Sequence, residues 1–350
     1  MLRAMDSAVS GLRAHQNKLD VIGHNIANVN TAGYKAQSYL FKEAMYQTST
    51  ASTSGSGNAF GAGGVNAAQY GYGAMMGSIW VDMTNSTPTQ MGGLTATIDG
   101  EGFFMTMSTS ADSINVKGTV TEKSDAIKGS NFQYTRVGQF KIDSQGFLVD
   151  CNSNNYIYGY RTKGNCLTSN AFDTEQLQPI RVCNAQTLDK TTGNPNKDLD
   201  AADEFNISTT SDDIALASSV KMDSEGKITI GIKVKEEVTD AQGNVSYAEV
   251  TKEAVIGRIA IAKFQNQEGL TKAGGSYYTA SRGDNSGFCI PAAPGEGGEA
   301  SLLTGYVESS NVDMAKEFVD LITTQRGFQA NSKIITVSDQ ILEELVNLKR

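Results

Sequence analysis

The two ends of this chain share a pattern that the middle lacks, and that arrangement restricts the fold more than any other feature. Near the N-terminus apolar residues recur at three- and four-residue spacing: Met5, Ala8, Leu12, Leu19, Ile22, Ile26 and Val29, with His15 alone interrupting the row. This heptad seam predicts a helix of about 25 residues, about 37 Å long. At the C-terminus Met314, Leu321, Phe328, Ile335 and Leu342 stand seven apart. A neighbouring row, Phe318, Gln325, Ser332, Asp339 and Val346, is apolar at its ends and polar at its centre. Ile334, Ile341, Leu345 and Leu348 widen the apolar face. Ser310 or Asn311, with Asp313 behind it, is the expected N-cap region. Gly327 falls inside this helix, where glycine costs about 1 kcal/mol relative to alanine.

Between the helices the pattern changes to short β-rich runs broken by Gly, Asn, Asp and Ser. Residues 48–66 are low-complexity and read as a linker. Residues 140–148 predict a hairpin whose Asp143-Ser144-Gln145-Gly146 loop makes a type I turn. Lys221 to Gly226 echoes Lys141 to Gly146 almost residue for residue, one turn device used twice. Strand-like runs return at 228–234 and 255–264, and seven acidic side chains within 189–213 predict an outward-facing insertion. The expected fold is therefore α+β, with residues 1–35 and 306–350 forming one discontinuous domain whose helices pair as a coiled coil. A linker spans 36–75, a β domain of short antiparallel strands spans 76–160 plus 255–305, and an outer β insertion spans 161–254.

Composition excludes several functions. Net charge is -9 and the cations are scattered, whereas a nucleic-acid binder needs them clustered. No window reaches the roughly 18–20 apolar residues of a membrane span, and the first residues lack the apolar run of a cleaved signal peptide. Cys151, Cys166, Cys183 and Cys289 have no metal-binding spacing, and His15 and His24 are the only histidines, so no metal site is expected. No Ser, His and Asp set suits nucleophilic catalysis. Gly100 and Gly102 lack the Lys-Ser/Thr of a phosphate loop. No enzyme activity and no cofactor are expected.

Each terminal helix carries an apolar seam that must be covered, and a lone helix of this length is marginal in water. Pairing the two ends covers part of it and leaves apolar edges around Ile334, Ile341 and Leu348. A head-to-tail contact that does not close produces a filament. The competing reading is a monomeric surface protein, an adhesin on a helical stalk.

Four ordered motifs separate these readings. Residues 19–35 (LDVIGHNIANVNTAGYK) closely resemble the N-terminal signature of bacterial flagellar hook and rod proteins. Glu308 to Asp313 (ESSNVD), Gln325 to Asn331 (QRGFQAN) and Asp339 to Leu342 resemble that family's C-terminal signature. Residues 98–104 (IDGEGFF) and 134–140 (YTRVGQF) resemble its central motifs. The resemblance implies export through the flagellar type III apparatus without a cleaved signal, and polymerisation into a tube walled by terminal helices. Implied partners are further copies of the chain, hook-cap, distal rod and hook–filament junction proteins, and the export apparatus. The implied location is the flagellar hook and basal body. Residues 10–31 and 63–73 look more like hook members. The length exceeds that expected of a distal rod subunit and is short for many hooks. A hook subunit is the expectation, with a distal rod subunit as the alternative.

His24 stands where the family usually has Asn, Gly327 is unusual inside a helix, and residues 86–93 lack a loop centred on Gln-Gly. The residues expected to contact other subunits are Met5, Leu12, Leu19, Ile22, Asn25, Ile26, Asn28 and Val29, with Asn311, Met314, Phe318, Leu321, Gln325, Phe328, Asn331, Ile335, Leu342 and Leu345. Asn25 and Asn28 fit either a polar register device on the seam or helix termination with Gly33. His15 reads as an interior histidine. Arg282-Gly283-Asp284 spells an adhesion tripeptide, and a turn explains it.

Overall fold

The computed structural model describes residues 2–54, 63–108, 113–163, 166, 171–182, 185–188, 195–196, 204–207, 220–239, 245–295 and 300–348. Within it the chain divides into two compact units. One comprises Met1–Asn30, Lys35–Thr84 and Ser310–Arg350, and the other Thr31–Tyr34 and Asn85–Ser309.

The first unit contains two long helices, α1 (Leu2–Ala27) and, at the far end of the chain, Met314–Asn347. α1 stops two residues short of Val29, the last residue of the predicted seam. The Asn28 side chain turns back and donates to the His24 carbonyl at 2.9 Å, capping the helix end. The C-terminal helix is capped by Asp313, whose carboxylate accepts from the Ala315 and Lys316 amides, and not by Ser310 or Asn311. Part of the predicted linker is ordered as paired strands. Gln37–Glu43 pairs antiparallel with Ala74–Val81, and Tyr46–Thr50 with Ala68–Gly71.

The second unit is the β body, and its pairings are all antiparallel among the described residues. The central strand Phe103–Met107 lies between Tyr156–Arg161 and Gln133–Thr135. On one side the sheet continues through Val245–Ile259 to Lys227–Thr239 and Val220–Met222. On the other it continues through Tyr277–Thr279 to Thr271–Gly274. Its core is apolar, with Phe104, Leu148, Ile157, Ile228 and Ile259 almost fully covered. The repeated turn device is present twice. Gly146 and Gly226 take φ of 80° and 71°, each donates to an Asp carbonyl three residues back, and that Asp side chain accepts from the following Ser amide.

α2 (Val120–Gly129) interrupts the strands and is absent from the sequence-based expectation. Its signal was present in Thr119-Val120-Thr121-Glu122: the Thr119 side chain accepts from the Glu122 amide and Glu122 accepts from the Thr119 amide, a capping box. The last helix is hereafter α3.

Two recognised motifs meet inside the β body. Arg136 and Glu308 are 1% and 2% exposed and lie 3.6 Å apart. Arg136 also donates to Asn85, and Glu308 accepts from the Ser86 amide. Burial pulls the Arg136 guanidinium below its ordinary range, and Glu308 works against that pull. Arg282 and Asp284 are both engaged locally. Arg282 donates to the Asp125 carbonyl of α2, and Asp284 accepts from Lys128 at 2.8 Å. Cys166 and Cys289 are buried thiols and Cys151 an exposed one. Cys183 and the side chains of the acidic segment 189–213 lie outside the described residues. No described helix is long and apolar enough to cross a membrane.

Candidate assembly interface

α1 buries Ala8, Ala14, Val21, Ile22 and Asn25. One side of it meets α3, and another meets the strands Gln37–Glu43 and Ala74–Val81. Contacts along the two helices run in opposite directions. Asn25 Nδ2 donates to Glu317 Oε1 at 3.0 Å and Lys18 lies 3.6 Å from Asp320. Further along, Gly327 faces His15 and Gly11 faces Asn331. The terminal helices are an antiparallel pair.

The inner row of α3 keeps strict three-four spacing. Met314, Leu321, Phe328, Ile335 and Leu342 are half-buried and alternate with Glu317, Thr324, Asn331 and Ser338. Only Thr324 and Ser338 are fully covered among the described residues of this helix. The first row read from the sequence thus faces inward, but its partner row is not Phe318, Gln325, Ser332, Asp339 and Val346, all of which are exposed. Fully covering an aliphatic side chain is worth about 1.5–3 kcal/mol, and the apolar residues of this mixed inner row, only half-buried, realise part of that. Phe318, Val319, Ile322, Ile341, Leu345 and Val346 stand 42–67% exposed on α3. On the first unit's ribbon Leu40, Phe41, Met75, Met76, Ile79 and Trp80 are also open.

Two asparagines fasten the chain where it leaves the helices. Asn25 pairs with the backbone of Gln37 in both directions, accepting from its amide at 3.0 Å and donating to its carbonyl at 2.8 Å. Asn311 accepts from the Ala36 amide at 2.7 Å and donates to the Asp82 carbonyl at 2.9 Å. Burial raises Glu317, Asn25 pulls it back and Asp320 pushes it up. Burial, with Lys18 adding, lowers His15.

Comparisons with known proteins match these same helices. The family description "Flagella basal body rod protein" fits residues 5–35, and "Flagellar basal body rod FlgEFG protein C-terminal" fits residues 303–348. The chain is 34% identical to the flagellar basal-body rod protein FlgG of Bacillus subtilis over 354 residues, covering 100% of both. It belongs to the flagellar hook and rod protein family. Within that family it is also 28% identical to the hook protein FlgE of Borreliella burgdorferi over 467 residues, covering 100% of both chains. It is 27% identical to the hook protein FlgE of Salmonella typhimurium over 428 residues, covering 99% of this chain and 100% of that one.

Among the hook and rod family residues singled out from sequence, Ile22 and Asn25 are buried, and Met5, Leu12, Leu19 and Ile26 are half-buried. Asn28 and Val29 follow the end of α1 and are half-buried. Asn311 and Asn331 are half-buried, whereas Phe318, Gln325 and Leu345 are exposed. Asn25 and Asn311 take up their amides within the subunit, a role sequence reasoning missed. The hydrogen bonds go to backbone atoms of residues 36, 37 and 82, and no local pattern announces such partners.

Proposed function

We propose that this chain is a structural subunit of the bacterial flagellar hook, exported through the flagellar type III apparatus and polymerised into a flexible tube that transmits motor torque. The observation that carries this reading is α3 itself, which leaves Phe318, Val319, Ile322, Ile341, Leu345 and Val346 exposed while the apolar residues of its inner row are only half-buried among Glu, Thr, Asn and Ser. Large apolar side chains exposed in this number suit docking faces toward other copies. In a tube, α1 and α3 of neighbouring copies cover them in a coiled-coil wall. Copies of itself are the principal partner, and hook-cap, distal rod and hook–filament junction proteins adjoin the ends.

The full-length likeness to a rod protein supports a second reading, a distal rod subunit. Gold-labelled antibody on isolated hook–basal bodies separates the two, because label on the curved segment outside the cell supports the hook and label on the straight shaft supports the rod. Label on neither, with purified chain that stays monomeric at high concentration, defeats both.

A further inference from the structure

The helix pair contains two contacts that mirror each other. Gly11 of α1 lies against Asn331 of α3, where a Cβ would come 3.0 Å from the amide nitrogen. Gly327 of α3 lies against His15 of α1, where a Cβ would come 2.7 Å from Cε1 and 2.9 Å from Nε2. In each helix the bulky residue follows its glycine by four positions, one turn further along the same face. The imidazole cannot simply swing aside, because the Phe41 ring of the neighbouring strand is centred 5.3 Å from it.

We infer that Gly11, His15, Gly327 and Asn331 form a reciprocal lock, two notches and two keys, that sets the register of the antiparallel terminal helices. The argument is geometric. Sliding one helix by a single turn, about 6 Å, in one direction brings Gly11 opposite Gly327 and leaves a void. Sliding it the other way brings His15 opposite Asn331 and drives two side chains into one space. Only the observed register seats both keys. The Lys18–Asp320 and Asn25–Glu317 contacts are strung along the same register and benefit from it. The lock also accounts for Gly327 inside a helix, a residue that local propensity disfavours.

The test exploits a conflict of sign. Alanine is the better helix former, so a position governed by local propensity gains protection from Gly327→Ala. The lock requires the opposite. Hydrogen exchange is followed on full-length chain, both unassembled and in any tubes it forms, with amides of Phe103–Met107 as an internal control for the β body. Gly327→Ala is expected to speed exchange in both α1 and α3 roughly tenfold, the size of an overpacking penalty. On a His15→Ala background the sign is expected to reverse, and the same change slows exchange, because the key is gone and only alanine's better helix propensity remains. Slower exchange in Gly327→Ala, equal effects on both backgrounds, or helices unprotected in the unaltered chain under both conditions overturns the lock. Tube formation is scored separately, so failure of the assembly reading and failure of the lock are distinguishable.

Discussion

Phe104, Leu148 and Ile157 of the β body are fully covered, whereas Phe318, Val319 and Ile322 on α3 stand 48–61% exposed. The β body packs an apolar core and sets buried Arg136 beside buried Glu308. The helix pair leaves Met314, Leu321, Phe328, Ile335 and Leu342 only half-buried and alternates them with Glu317, Thr324, Asn331 and Ser338 on its inner row. The contrast teaches that the β body fills an apolar core of its own, while the helix unit keeps apolar surface for something outside the subunit.

Two substitutions of large expected effect probe the β body. Phe104→Ala is expected to cost about 3–5 kcal/mol in denaturant unfolding. Its counterpart Ile322→Ala should stay within about 0.5 kcal/mol on unassembled chain yet raise the protein concentration needed for tubes. Equal effects on unassembled stability would break the contrast. Arg136→Ala leaves the Glu308 carboxylate buried without its cation, and about 3–5 kcal/mol should be lost by the same measurement. Retention of full stability there means that water reaches the pair.

Smaller effects sharpen the helix side. Asn25→Ala removes both hydrogen bonds to Gln37, and a loss of about 1–3 kcal/mol is expected, read as exchange in α1 and in Gln37–Glu43. Asp313→Ala should cost about 1 kcal/mol, confined to the first turn of α3. The smallest effect is on pH. Burial and Lys18 hold His15 below its ordinary 6.5, so neutral imidazole is favoured in the fold. Helix-pair stability is therefore whole above pH 6.5 and declines as pH falls through the lowered value. Glu317, raised above its ordinary 4.5, works in the opposite sense at lower pH. In the β body burial pushes Asp284 up, but Lys128 and Ser286 outweigh it and hold it at about 2. Its contribution is complete above its ordinary 3.8 and is lost only as pH falls through about 2. Exchange measured from pH 7 to 3 should thus loosen the helices before the loop at 281–286, and His15→Gln should remove the earlier step.

Periodicity and turn chemistry act over a few residues, so they were legible without coordinates. They marked both helices, the seven-residue row Met314 to Leu342, the twin Asp-Ser-x-Gly turns and the motifs that bring the chain into its family. α2 was legible too, through its capping box, but the surrounding β pattern masked it.

The sequence by itself determined that this chain has helical ends, a β body and apolar surface at the ends in excess of what one copy covers. Only the tertiary structure decided which face of α3 turns inward, because two rows offset by four residues differ by only about 40° and both contained apolar residues. It also decided the partners of Asn25, Asn311, Arg136 and Gly327. Each partner lies far along the chain, and local pattern carries no information about contacts that the fold closes.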